Sequence, residues 1–117
     1  MLVVIRMTMR RISVMCVMLV ATAACTSAVP VPTGDDAKWA VRQWPQTSVE
    51  TLVGGRSLYV SRCAGCHALV PPAKHSGDRW LQEVPRMTQR AHLDDGERDL
   101  ITRYLLTASR PRDAAQR

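Results

Sequence analysis

At 117 residues, with 46% apolar and 22% charged side chains and a formal net charge of +6, the chain has the size of one small globular domain. That balance excludes a disordered or fibrous chain. Composition is uneven along it: Met1, Met7, Met9, Met15, Met18, Cys16 and Cys25 all fall in the first 25 positions, which are therefore read apart from the rest.

Arg6, Arg10 and Arg11 precede an apolar stretch, Ile12–Ala24, interrupted only by Ser13 and Thr22. It is shorter than the roughly 20 apolar residues a bilayer-spanning helix needs. A positive start, an apolar middle and small residues at the end form a bacterial secretory signal, predicted over residues 1–24. The rival, a buried core helix, lacks charged residues to give it a polar face. Thr22-Ala23-Ala24-Cys25 resembles a lipoprotein processing box, in which cleavage precedes the Cys and its sulfur receives a diacylglycerol. Thr22 stands where leucine is usual, so ordinary cleavage after Ala23 or Ala28 is the alternative; cleavage after Ala23 would strand an exported thiol. Thr26, in place of Asp after the Cys, is similar to lipoproteins sent to the outer membrane. The expectation is a periplasmic protein anchored by a lipid on Cys25, with a soluble periplasmic protein as the rival.

Without residues 1–24 there remain 13 basic and 10 acidic residues, a net charge of +3. No basic run or aromatic-interleaved basic patch survives, so no nucleic-acid partner is expected. Residues 25–47 carry Pro30, Pro32, Gly34, Asp35, Asp36 and Pro45 with no sustained period, and read as a flexible tether. About 22 residues of flexible chain span roughly 25 Å. Trp39 and Trp44 suit a linker poorly, and either pack back on the domain or lie at a lipid interface.

The folded domain is expected over residues 48–109, with a tail at 110–117. About 60 residues make a marginal apolar core, so a staple is expected. Thr47-Ser48-Val49-Glu50 reads as a capping box opening a helix that runs to about Arg62, with Leu52, Tyr59, Val60 and Cys63 at helical spacing. Gly54 and Gly55 inside it cost roughly 1 kcal/mol each relative to Ala, which implies that another helix backbone approaches closely there.

Cys63-Ala64-Gly65-Cys66-His67 is the c-type haem attachment pattern. Two thiols three positions apart can each add to a haem vinyl group, while the adjacent His presents an imidazole to the iron. The competing readings are a CxxC redox pair and half a zinc site completed by His75 and His92. The first wants a βαβ setting and the second another closely spaced ligand pair, and neither is present in the sequence.

After removal of the signal, Met87 is the sole Met, 20 residues beyond His67. Trp80, Val84 and Met87 share one helical face, so the thioether can point where the Trp and Val point. The alternatives are a gap-filling Met, or His75 or His92 as the sixth ligand. Pro85, two residues before Met87, could bend that helix and shift the sulfur. Asp94 with Glu97 caps a final helix whose apolar face is Leu100, Ile101, Tyr104 and Leu105, and Pro111 rules out its continuation.

The order Gly55, Tyr59, Cys63-Ala64-Gly65-Cys66-His67, Pro71, Met87, Tyr104 resembles the small monohaem class I cytochromes c over about half of the chain. The resemblance implies an all-α fold wrapped around one covalent haem c. It implies thioether bonds from Cys63 and Cys66, iron held by His67 and Met87, and a Pro71 carbonyl accepting the other ring N–H of His67. Its two terminal helices would cross at Gly55, with Tyr59 against Tyr104. Trp80 would donate its indole N–H to a haem propionate, simple core packing being the alternative. The function implied is electron transfer, not catalysis, with redox proteins such as a periplasmic or membrane dehydrogenase or oxidase as partners, docked at the haem edge with the help of Arg86 and Arg90. If Met87 does not bind the iron, a five-coordinate haem acting as a gas sensor or weak peroxidase is the alternative. If no haem is attached, the chain is a small metal-binding or structural lipoprotein.

Overall fold

A computed structural model describes residues 29–111. The expected signal peptide, the lipid site at Cys25 and the tail beyond Pro111 lie outside the described residues. Regular structure within them is entirely helical: α1 (Gly34–Ala40), α2 (Val49–Cys63), α3 (Gly77–Arg90) and α4 (Asp95–Ser109), with a 3₁₀ turn at Pro72–Lys74. The all-α expectation holds at that level, and no described helix is long and apolar enough to cross a membrane.

Local chemistry explains the helix ends. Asp94 accepts the Glu97 backbone N–H at 2.8 Å while the Glu97 carboxylate accepts the Asp94 N–H at 3.2 Å, so α4 opens on the expected capping box. α2 opens one residue later than expected. Ser48, with Thr51 in place of Glu50, supplies its box, because the Thr47 hydroxyl is taken by Arg103, 56 positions along the chain, at 3.1 Å. α3 ends in a Schellman turn, with His92 N–H on the Gln89 carbonyl at 3.3 Å and Leu93 N–H on the Thr88 carbonyl at 3.0 Å. His92 occupies the left-handed position, φ 51°, where glycine is usual.

α2 and α4 meet at Gly55. A Cβ there would collide with the Leu100 carbonyl oxygen and stand 2.9 Å from Tyr104 Cβ, whereas one at Gly54 would meet nothing within 4 Å. The close approach inferred from the glycine pair thus belongs to Gly55 alone. Below it, Tyr59, Trp80, Val84, Ile101, Tyr104, Leu105 and Ala108 form one buried cluster. Each large apolar side chain buried this way contributes roughly 1.5–3 kcal/mol. Tyr59 and Tyr104 rings lie 6.2 Å apart, and Tyr59 meets Trp80 edge to face at 6.0 Å.

The flexible tether expected over residues 25–47 is corrected for its described part, which is a folded strap. Arg56 donates twice to the Val29 carbonyl, at 3.2 and 3.1 Å, and the Tyr104 hydroxyl donates to the Pro30 carbonyl at 2.8 Å. Thr33 caps α1, and buried Asp36 pairs with Arg110 at 2.7 Å. Trp39 and Trp44 each pack one ring face back beneath Arg110 and Arg103, at 5.3 and 5.7 Å, and both stay half-buried. Arg110, assigned from sequence to the tail, is part of this clasp. A seven-residue helix shows too little period to be read locally, and tertiary contacts order it.

Candidate functional site

A cleft of about 390 Å³ opens between the C-terminal end of α2, the loop after it, α3 and α4. That lies within the range of ligand-binding pockets. Its floor is apolar, with Tyr59, Trp80, Val84, Ile101 and Leu105. Cys63, Cys66 and His67 line it from α2 and the turn that follows, and Met87 lines it from α3. The four side chains singled out by spacing are therefore gathered around one cavity. Cys66 and His67 are exposed, Cys63 and Met87 half-buried.

Pro85 does not displace Met87 from this arrangement. α3 runs continuously from Gly77 to Arg90 through the proline. Pro85 and Leu81, whose carbonyl loses its intrahelical donor to the proline ring, both sit on the exposed side. The opposite face carries Trp80 and Val84, both buried, and Met87.

The Trp80 indole N–H donates to the Pro72 carbonyl, buried, at 2.9 Å, so Trp80 packs and braces the cleft wall, the packing alternative among its expected roles. The Pro71 carbonyl accepts the Lys74 backbone N–H at 2.9 Å, while His67 Nδ1 lies 2.8 Å from the Ala68 carbonyl. The imidazole is thus oriented by its neighbouring peptide, with Pro71 half-buried nearby in sequence but bonded elsewhere. Tyr59, whose hydroxyl donates to the Val70 carbonyl, is a residue the sequence placed at the helix crossing without assigning it to the cleft. It ties α2 to the loop after His67, and burial pushes its phenol up to about 12, with Cys63 adding to the rise.

Burial, and secondarily Cys66, push the Cys63 thiol above its ordinary range. Among the described residues no three His, Cys, Asp or Glu side chains converge as a metal cage. His92 stands in the α3 turn away from the cleft lining, and His75 lines the cleft with its ring against Trp80 at 4.9 Å. The donor set is two thiols, one imidazole and one thioether around an apolar slot, which fits a flat apolar macrocycle with an axially ligated metal better than a bare ion.

The rim is cationic but mostly paired. Arg62 meets Glu97 at 2.6 Å, Arg79 meets Glu83 at 2.6 Å, and Arg86 reaches Glu83 at 3.5 Å. Arg90 lines the cleft with no ion pair among the described residues.

Comparison with known proteins gives no match. No family model, no curated protein and no solved structure matches the chain.

Proposed function

We propose that the protein is a membrane-anchored periplasmic electron carrier with one covalent haem c, built like a small class I cytochrome c. The observation that carries the reading is that Met87 lines the same apolar cleft as Cys63, Cys66 and His67. Cys63 and Cys66 would hold the haem by thioether bonds, and His67 and Met87 would ligate its iron. Bound there, the haem supplies a one-electron couple, and His/Met ligation sets a higher potential than bis-His.

The chain's own residues favour transfer over catalysis. With His67 and Met87 both holding the iron, no position would be left for substrate, oxygen or peroxide. Buried Tyr59, Trp80 and Val84 give the slot an apolar floor that disfavours water. The Trp80–Pro72 and Tyr59–Val70 bonds brace the two sides, so that little has to move when the charge changes. The exposure of Cys66 and His67 supports an attachment edge at the surface, where a redox partner would dock weakly and salt-sensitively, with Arg90, unpaired among the described residues, at the cleft to meet it. The crossing at Gly55 and the Tyr59–Tyr104 contact support the fold-level likeness.

The test is to express the full chain with a haem-maturation system and compare its ferric and ferrous spectra with those of Met87→Ala. Covalent haem, with a sulfur-to-iron charge-transfer band lost in the variant, is the expected result. Covalent haem without that band in the parent would transfer the assignment to the ligand-binding alternative, and a chain that takes up no haem would refute both.

A further inference from the structure

We propose that the face carrying α1 and the turn after it lies against a lipid headgroup surface, leaving the cleft open to the periplasm. This rests on the reading of Cys25 as the lipidated residue. Three residues, 26–28, separate Cys25 from Val29, and the folded body begins there, with Val29 and Pro30 held by Arg56 and Tyr104. Extended chain advances at most about 3.6 Å per residue, so four steps reach roughly 14 Å at most. The strap therefore removes the slack that a flexible 22-residue tether would give, and a lipid on Cys25 holds the body against the headgroups.

Chain length also selects the face, namely the one where Val29 enters. Val31 and Val41, at 59% and 38% exposure, lie before and after α1. Gly34, Lys38 and Val41 follow one another at helical spacing on the side away from buried Asp36 and Ala40. Trp39 and Trp44 are half-buried, each with one ring face under an arginine. Amphipathic indoles and basic side chains are residues that settle at headgroup depth. Of the two cations in residues 29–47, Lys38 is paired with Asp35 at 2.8 Å, and the Arg42 guanidinium is the one placed to meet an anionic leaflet. Arg42 is exposed and has no ion pair among the described residues. None of residues 29–47 lines the cleft, so this contact leaves a partner free access to it.

The experiment uses the acylated full chain in vesicles of phosphatidylethanolamine and phosphatidylglycerol doped with a phospholipid bearing a photoreactive diazirine near its headgroup. Adducts are mapped by peptide mass spectrometry, and the mass of the N-terminal peptide reports acylation of Cys25 independently. Adducts concentrated in residues 31–44 are expected, falling on the order of a hundredfold in a Val41→Asp/Arg42→Glu double variant, which shifts the charge by three units at about a factor of five each near an anionic leaflet. Both positions are exposed, so an unchanged helical circular dichroism spectrum accompanies the loss. Adducts spread evenly over α3 and α4, or confined to residues before Val29, on a chain shown to be acylated would overturn the orientation while sparing the anchor. A Cys25 peptide without lipid would overturn the anchor and, with it, the orientation.

Discussion

Consider a methyl group added at each of two adjacent glycines. At Gly55 the new Cβ collides with the Leu100 carbonyl oxygen and lies 2.9 Å from Tyr104 Cβ, neither of them the far end of a flexible side chain, so α2 and α4 must move apart. Overpacking of this kind costs about 1–3 kcal/mol and occasionally more, from which the roughly 1 kcal/mol gained by replacing a helical glycine is subtracted. A net loss of about 2 kcal/mol at the upper part of that range is expected for Gly55→Ala. At Gly54 nothing lies within 4 Å, and the same substitution stabilises by about 0.5–1 kcal/mol. For a domain of this size each kcal/mol moves the melting midpoint by roughly 4–8 °C. Gly54→Ala should therefore melt several degrees above the parent and Gly55→Ala on the order of 10 °C below it, followed by helical circular dichroism. A Gly55→Ala protein melting at or above the parent would refute the crossing, and the position of α4 behind the cleft with it.

Three further outcomes are expected. His92→Gly relieves the left-handed position of the Schellman turn and raises stability by about 0.5–1 kcal/mol in urea denaturation, and a loss would show that the ring makes a contact of its own. Asp36→Ala strands Arg110, whose side chain is 12% exposed, and breaking a buried pair costs about 3–5 kcal/mol; faster limited proteolysis between Thr33 and Thr47 should report it, whereas an unchanged cleavage rate would mean that the strap is held without the clasp. Tyr59 is kept neutral in the fold, its phenol raised from the ordinary 10.0 to about 12. Stability from this group is intact below pH 10 and lost as the pH rises through about 12. The urea midpoint of the parent should fall over that window more steeply than that of Tyr59→Phe, and parallel curves would contradict the assignment.

Residues whose structure is fixed by near neighbours were readable from the chain. The Asp94–Glu97 box closes over three positions and forms as expected. Trp80, Val84 and Met87 share a face because helical geometry puts i, i+4 and i+7 together, and Pro85 on the outer side leaves that face undisturbed. The spacing of Cys63, Cys66 and His67 defines one turn, so their common presence at one cavity edge follows from local geometry.

Where a distant group competes for a polar atom, local reading failed. Thr47 has the chemistry of a helix cap, but its hydroxyl is claimed by Arg103, and the cap passes to Ser48. The Trp80 indole finds the Pro72 carbonyl, eight positions back across the loop. Residues 29–47 carry the signs of a linker, yet Asp36 is folded down by an arginine 74 positions away. Sequence alone determined the helix starts at α4, the face of α3 and the cluster around Cys63, because bonds spanning a few residues decide them. Tertiary structure decided the strap, the cap of α2 and the bracing of the cleft, because the partner in each case lies a loop or more away, and no local period records a bond that only the closed fold can make.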